Sequence, residues 1–223
     1  MPQRTGKIIL IYFLLLLVFS SINNINLNKI KFNKVENISI LGLNKSEYEI
    51  LLKKIKSSNL ENIFFLNSNK ISKIIDSNSL VEEYEVFKKY PSTINVEIKR
   101  TKFLAKISRD DKIFIIGSNG KLIKNEPNVK DLPYIFGNPK IADFLSFKKI
   151  IENSSMSYLD VKNLYFFKSK RWDIELKNNI LIKLSEDNAK ESLDNAIEIM
   201  KNINLGKSKV IDARVNNQII LNG

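Results

Sequence analysis

The sequence predicts an α+β protein in which one apolar N-terminal segment precedes two domains that mix helices and strands. The segment is the run IILIYFLLLLVF at Ile8–Phe19, whose only polar side-chain group is the Tyr12 hydroxyl. Residues 35–98 then give the order strand, helix, helix, strand, strand. Residues 112–221 are rich in alternating strand patterns, interrupted by two helical patterns.

The apolar run is predicted to be a single transmembrane helix that is retained in the mature protein. Extended to Ile22 it reaches about 15 residues, short of the ~17–25 of most spanning helices and within the range of a signal peptide core. No small-x-small cleavage pattern follows it, and its large apolar side chains are favourable in hydrocarbon. We therefore expect a cytoplasmic tail at 1–7, an anchor at 8–22 and a stalk at 23–32.

The charges beside this segment do not fix its orientation. Arg4 and Lys7 favour a cytoplasmic N-terminus. The other end of the segment is followed closely by three lysines, Lys29, Lys31 and Lys34. Positive charges near either end favour the cytoplasmic side, so these lysines oppose that orientation. Charge alone therefore leaves the topology open.

The first domain is predicted at 33–102 and opens with a strand at Val35–Leu41. Asn44 with Glu47 three residues later has the pattern of a capping box at the start of a helix. The apolar residues of that helix recur at helical spacing: Tyr48, Leu51, Leu52 and Ile55.

A second helix and two strands complete the first domain. Ser68 is the predicted cap of the helix, whose apolar face is Ile71, Ile74 and Ile75. Residues 80–90 are extended, and the chain turns at Pro91. A half-buried strand follows, because apolar and polar residues alternate along it, the apolar ones being Ile94, Val96 and Ile98.

The second domain is predicted at 103–223 and begins with a hairpin. Asn119-Gly120 favours a tight turn with positive φ, which would join strands at 112–116 and 121–124. Residues 142–153 have a helical pattern. A second hairpin turns at Asn178-Asn179, and its alternating apolar residues are Trp172, Ile174, Leu176, Ile180, Ile182 and Leu184. We expect Trp172 to be a core residue.

The last helix is the clearest in the chain. Ser185 or Asp187 is its predicted cap, and its buried stripe is Ala189, Leu193, Ala196, Ile197 and Met200. Two final strands are predicted at 210–215 and 218–221, joined by Asn216-Asn217.

The composition argues against an enzyme. The chain has no cysteine and no histidine, so thiolate nucleophiles, zinc–thiolate sites and every arrangement that uses a histidine base are excluded. Each pair of adjacent acidic residues has a structural explanation: a strand for Glu82-Glu83, a solvated turn for Asp110-Asp111 and a helix start for Glu186-Asp187. The sequence contains no phosphate-binding loop motif. We expect no catalytic residue, cofactor, metal or small-molecule substrate.

The net charge of +12 raises the question of nucleic acid as a partner. The lysines are spread along the chain rather than clustered, and arginine, the residue best suited to bidentate phosphate contacts, is scarce. We therefore expect no nucleic-acid binding. Loose attraction to anionic lipid headgroups accounts for the charge at least as well, given the anchor.

Several short motifs, taken in order, resemble the FtsQ/DivIB family of cell-division proteins. The segment VENISILG at 35–42 resembles the family's first strand, and NIFFL at 62–66 resembles the link between its helices. VFKKYPSTINV at 86–96 resembles its hairpin. The second domain carries further similar motifs at Leu132–Gly137, Arg171–Asp173 and Ile211–Arg214. The resemblance covers about residues 32–221.

The resemblance implies an FtsQ-type POTRA domain followed by a β domain, behind a single transmembrane helix. It also implies a divisome scaffold of the inner membrane at the division septum, with its N-terminus in the cytoplasm and both domains in the periplasm. Its partners would be division proteins resembling FtsB and FtsL. Departures occur at Lys99, Lys102 and Val215, where the family has glutamate, proline and an aromatic residue, respectively.

The resemblance also implies a partner-binding site on the last strands, where a partner strand would add to the sheet edge. Backbone groups of such an edge supply affinity, and side chains supply specificity. The residues that match this stretch are Arg214, Val215, Asn217, Gln218, Ile219, Ile220 and Leu221.

The sequence leaves two alternative functions open. One is a secreted, basic periplasmic binding protein released by signal cleavage. The other is a POTRA-bearing component of outer-membrane transport, which the short strand-rich part with its two helices disfavours, because a barrel needs many alternating strands.

Overall fold

The computed structural model describes residues 3–22, 34–58, 60, 63, 66, 68–124, 129, 131–202, 209–215 and 218–222. Its helices are α1 (Gln3–Ile22), α2 (Lys45–Lys56), α3 (Ser68–Asp76), α4 (Ile141–Glu152) and α5 (Ala189–Asn202). Its strands are β1 (Asn37–Leu41), β2 (Val81–Lys89), β3 (Thr93–Arg100), β4 (Phe103–Arg109), β5 (Lys112–Gly117), β6 (Leu122–Lys124), β7 (Tyr134–Phe136), β8 (Val161–Phe166), β9 (Trp172–Leu176), β10 (Leu181–Leu184), β11 (Val210–Val215) and β12 (Gln218–Asn222).

Helix α1 contains the apolar run, but it does not confirm the predicted anchor. Within the described part of the chain, no helix combines the length and the apolar character needed to cross a membrane. The apolar run Ile8–Phe19 is shorter than a usual span. The helix begins at Gln3 and takes in most of the predicted tail at 1–7. The predicted stalk at 23–32 lies outside the described residues.

The chain forms two compact units. The first consists of Met1–Ile74 and Glu85–Glu97, and the second of Ile75–Tyr84 and Ile98–Gly223. The domain boundaries predicted from the sequence, at 33–102 and 103–223, stay predictions.

A three-stranded sheet in the order β1-β3-β2 gives the first part of the chain its POTRA-like form. β1 runs parallel to β3, in a register that places Ile38 beside Ile94 and Ile40 beside Val96. Parallel strands need a long crossover, which helices α2 and α3 provide. The predicted order strand, helix, helix, strand, strand is confirmed.

The start of α2 is fixed by the predicted capping box. The Glu47 N–H donates to Asn44 Oδ1 at 2.9 Å, and the Asn44 N–H donates to Glu47 Oε2 at 3.2 Å. These two bonds satisfy backbone donors that a helix end otherwise leaves free. The predicted apolar face is buried through Leu51 and Ile55. Helix α3 begins with Ser68 as its first helical residue, so the predicted cap lies one position inside the helix.

A nine-stranded mixed sheet in the order β12-β11-β10-β9-β8-β7-β4-β5-β6 forms the second part. Two of its parallel pairs are joined by a helix each: β7 to β8 by α4, and β10 to β11 by α5. The inward residues of both helices share one core with the sheet, including Phe144, Phe147, Leu193 and Ala196. Trp172 is buried in this core and stacks on Phe147 with ring centroids 4.7 Å apart, which confirms its predicted place.

The sequence patterns did not predict three strands of this sheet, β4, β7 and β8. β4 and β8 each contain a register irregularity, between Phe103 and Ala105 and between Val161 and Asn163. An irregularity of this kind breaks the period-two alternation by which a strand is recognised. β7 is only three residues long. Helix α5 begins at Ala189, so Asn188 directly precedes it rather than Ser185 or Asp187.

Candidate partner-binding site

The predicted site lies at an edge of the nine-stranded sheet. β12 is the outermost strand and pairs on its inner side with β11, antiparallel, from Val210↔Asn222 to Val215↔Gln218. Among the strands that the structure describes, none pairs with its outer side. An edge strand of this kind presents a row of backbone N–H and C=O groups to a further strand.

The side chains of β12 divide between the two faces of the sheet. Ile219 and Leu221 are half-buried and pack against the core beneath α4 and α5. Gln218 and Asn222 are exposed on the other face, and so is Ile220, with 44% of its surface accessible. Of these side chains, only that of Ile220 is both apolar and open to a partner.

The end of β11 adds an ion pair beside this edge. Arg214 Nε donates to Asp212 Oδ1 at 2.8 Å, and Arg214 Nη2 donates to Asp212 Oδ2 at 2.6 Å. Asp212 is buried, whereas nearly half of the Arg214 side chain is exposed. The hydrogen bonds from Arg214 lower the pKa of Asp212 below its ordinary value. Val215, the next residue, is exposed.

The Asp212–Arg214 pair belongs to a row of alternating charges across three strands. Lys183 on β10 is the cross-strand partner of Asp212 on β11 and of Asp173 on β9. Asp173 in turn accepts from Arg171 Nε at 3.1 Å and from the Leu184 N–H at 3.3 Å. Burial raises the pKa of Asp173, against the lowering effect of Arg171 and Lys183.

A second polar group on the same face centres on Glu175. Its carboxylate accepts from Lys162 Nζ at 2.8 Å, Asn163 Nδ2 at 2.9 Å and the Tyr165 hydroxyl at 2.7 Å. These hydrogen bonds, led by Asn163, lower the pKa of Glu175 to about 2. Burial together with Glu175 raises the pKa of Tyr165 to about 12.

The structure thus brings most of the predicted residues to one edge. Arg214, Val215, Gln218 and Ile220 are exposed there, while Ile219 and Leu221 lie on the core side. Asn217 lies outside the described residues. The sequence patterns did not predict that Asp173, Lys183 and Asp212 form one charged row. Opposite charges two residues apart on a strand, as in Arg171-Trp172-Asp173, do indicate ion pairs on one face of the strand. Among the described residues, no group of three or more acidic side chains could hold a metal ion.

Two of the known proteins that this chain resembles are DivIB cell-division proteins. The DivIB cell-division protein of Clostridium botulinum strain Loch Maree is 25% identical over 231 residues, covering 93% of this chain and 86% of that protein. DivIB of Bacillus subtilis strain 168 is 30% identical over 137 residues, covering 61% of this chain and 50% of that protein.

A solved structure also matches part of the chain. It is the major extracytoplasmic domain of the trans isomer of DivIB from Geobacillus stearothermophilus, with 12% identity and a TM-score of 0.34. The match covers 47% of this chain and 98% of that one.

Two family models account for most of the sequence. The POTRA domain of the FtsQ type matches residues 33–99, and the C-terminal domain of the cell division protein FtsQ/DivIB matches residues 105–214. They follow one another in the order implied by the motifs and agree with the mixed α+β folds described above. The chain therefore belongs to the FtsQ/DivIB family of cell-division proteins.

Proposed function

We propose that this chain is a non-catalytic scaffold of the division machinery at the septum. α1 anchors it in the inner membrane as a single pass, with the N-terminus in the cytoplasm and the POTRA and β domains in the periplasm. Its partners are division proteins resembling FtsB and FtsL. The scaffold binds neither a nucleic acid nor a small-molecule substrate.

The exposure of α1 supports the membrane part of the proposal. All twelve residues of the run Ile8–Phe19 are large and hydrophobic, and all of them are exposed. A helix that is apolar on every side is stabilised where water is excluded from all its faces. At 1.5 Å per residue, the 20 residues of Gln3–Ile22 extend for about 30 Å.

The open edge of β12 is the observation that carries the partner-binding part. A partner segment in extended conformation would pair with the outer backbone groups of β12 and continue the sheet. Its side chains would alternate between the core side, next to Ile219 and Leu221, and the exposed side, next to Ile220. The exposed Arg214 guanidinium lies on the neighbouring strand.

The charges of the site fit binding better than turnover. The Asp212, Asp173 and Glu175 carboxylates are each engaged by arginine, lysine, amide or hydroxyl donors. A general base needs a carboxylate that is free to take up a proton near neutral pH, whereas the donors around Glu175 and Asp212 hold both carboxylates ionised. Burial raises the pKa of Asp173, but its carboxylate is already occupied by the donors Arg171 Nε and the Leu184 N–H.

A matched pair of substitutions tests the edge. Ile220→Lys places a charge on the exposed side of β12, and Ile113→Lys makes the same change on β5, toward the opposite end of the same sheet. The two isoleucines are 44% and 45% exposed, respectively. Detergent-solubilised chains are compared by co-purification with the FtsB-like and FtsL-like proteins of the same cell, and by urea unfolding.

We expect Ile220→Lys to lower partner recovery at least tenfold and Ile113→Lys to leave it unchanged, with both variants as stable as the parent chain. Equal recovery by both variants would move the binding site away from β12. Because the chain has no cysteine, Gln218→Cys gives a single site for crosslinking to a cysteine introduced in the partner segment.

Two cellular measurements test the remaining parts. A fluorescent fusion should concentrate at the septum, and depletion should give filamentous cells; normal division after depletion would reject the scaffold function. A reporter fused after Asn222 should be active only in the periplasm. Cytoplasmic activity of that reporter would reverse the proposed topology, and a mature N-terminus near Ser21 would show that the anchor is cleaved.

A further inference from the structure

The outward face of α2 is unusually basic. Four of its 12 residues are lysines, and all four are exposed: Lys45, Lys53, Lys54 and Lys56. Of its two glutamates, Glu47 is buried in the capping box, which leaves Glu49 as the exposed carboxylate of the helix.

The helix dipole explains only part of this pattern. Lysines in the last turn of a helix are favoured there, which covers Lys53, Lys54 and Lys56. Lys45 is the first helical residue, where a positive charge is unfavourable. Lys45 therefore does not stabilise α2, and a binding role for its charge would account for a lysine at this position.

An exposed apolar side chain lies among these lysines. Ile50 is 58% exposed, and Lys53 and Lys54 follow it by three and four residues, so all three side chains are neighbours on the helix surface. In helices that lie on a lipid surface, apolar side chains enter the headgroup region while neighbouring ammonium groups stay at the phosphates, and Ile50 with Lys53 and Lys54 offers such a group.

The chain length between α1 and this face keeps the two close together. Ile22 ends α1, and Lys34 is the first residue described after it, so eleven residues intervene. Fully extended, such a segment spans at most about 40 Å. The first unit is therefore held near whatever surface binds α1, at a high effective concentration.

We propose that the exposed face of α2, defined by Lys45, Ile50, Lys53, Lys54 and Lys56, docks on the surface of an anionic lipid bilayer. The inference rests on the proposed anchoring of the chain through α1. The lysines bind lipid phosphates, Ile50 enters the headgroup region, and the first unit lies against the membrane.

Site-specific labelling of the full chain in nanodiscs tests this docking. The chain has no cysteine, so Ser46→Cys on the exposed side of α2 and Ser39→Cys on β1 each give one labelling site. Nanodiscs contain phosphatidylcholine alone or with about one third phosphatidylglycerol, plus a trace of lipid with a nitroxide headgroup. Quenching of the label reports its distance from the headgroups.

We expect strong quenching at position 46 in anionic nanodiscs, weak quenching in neutral ones, and weak quenching at position 39 in both. Raising the salt to 0.5 M should remove the effect, because ions screen exposed charges. Replacing Lys53, Lys54 and Lys56 together by Gln should lower the ratio of docked to free molecules by roughly a hundredfold, at about fivefold per lysine.

Lys168, Lys177 and Lys190, exposed lysines of the second unit, provide the control: their replacement by Gln changes the net charge equally and should leave the quenching unchanged. Equal quenching at positions 46 and 39, or equal quenching at position 46 in anionic and neutral nanodiscs, would overturn the docking proposal. A chain that fails to enter nanodiscs of either composition would instead refute the anchor itself, so the two failures are distinguishable.

Discussion

Arg214 and Asp212, two residues apart on β11, form a two-bonded ion pair in which the carboxylate is buried and the guanidinium is half exposed. Their Nη2–Oδ2 distance is 2.6 Å and their Nε–Oδ1 distance is 2.8 Å. Alternate residues of a strand share a face, so the spacing Asp-x-Arg suffices to bring the two groups together. The pair gives Arg214 a fixed position beside the open edge.

Replacing Asp212 by Ala should lower the free energy of unfolding by about 1–3 kcal/mol, because the Arg214 guanidinium loses both charge-assisted bonds. Urea unfolding followed by the fluorescence of Trp172 measures the change. Asp194→Ala, which removes an exposed carboxylate on α5, should stay within about 0.5 kcal/mol of the parent chain. Equal stability of the two variants would show that the pair contributes nothing to folding.

Ile219→Lys and Ile220→Lys should differ sharply in stability, although the two positions are adjacent. Ile219 packs against the core, so a lysine there should cost about 2–4 kcal/mol through lost burial and a desolvated charge. Ile220 is exposed, and its replacement should cost under about 0.5 kcal/mol. Thermal unfolding of both chains measures this contrast; the opposite order would mean that β12 is in the other register.

Asn119 should be the most sensitive residue of the β5–β6 turn. Its Nδ2 donates to the Ser79 carbonyl at 2.9 Å and to the Val81 carbonyl at 2.8 Å, both within the second unit. Asn119→Ala leaves both carbonyls without this donor, and we expect a loss of about 1–3 kcal/mol. Asn153→Ala on the exposed end of α4 is the matched control, and an equal loss there would contradict this account.

Gly137 should tolerate no side chain. Its φ is +94°, and a Cβ built there would lie 2.2 Å from the Phe166 carbonyl oxygen. Gly120 also has a positive φ, of +74°, but its nearest neighbour would be 3.6 Å away. Gly137→Ala should therefore prevent the chain from accumulating in folded form or cost more than about 3 kcal/mol, whereas Gly120→Ala should cost about 1–2 kcal/mol. Circular dichroism melts of the two variants test the difference.

Glu175 should make stability depend on acid pH. Its pKa is about 2 in the folded chain and 4.5 ordinarily, so its stabilisation is fully present above about pH 4.5 and is lost as the pH falls toward 2. Asp173, whose pKa is raised chiefly by burial, acts in the opposite direction. Glu175→Gln should flatten the loss of stability between pH 5 and pH 2 in urea titrations; an unchanged slope would contradict the role assigned to this network.

Local patterns in the sequence predicted much of the fold because short-range geometry decides them. The capping box at Asn44 and Glu47, the turn at Asn119-Gly120 and the alternation from Trp172 to Leu184 each depend on neighbours a few residues apart. The same patterns could not show β4 and β8, whose bulges shift the alternation.

The sequence by itself determined the family, through motifs kept in order along the chain, and the absence of cysteine and histidine chemistry. It also placed the candidate site on the last two strands. Only the tertiary structure decided the strand order that leaves β12 outermost among the described strands, because strand order depends on pairings between distant segments such as β10 with β11. It likewise decided that Ile220 is exposed while Ile219 packs on the core. It also placed Lys183 between Asp173 and Asp212, since the register between strands fixes which side chains meet.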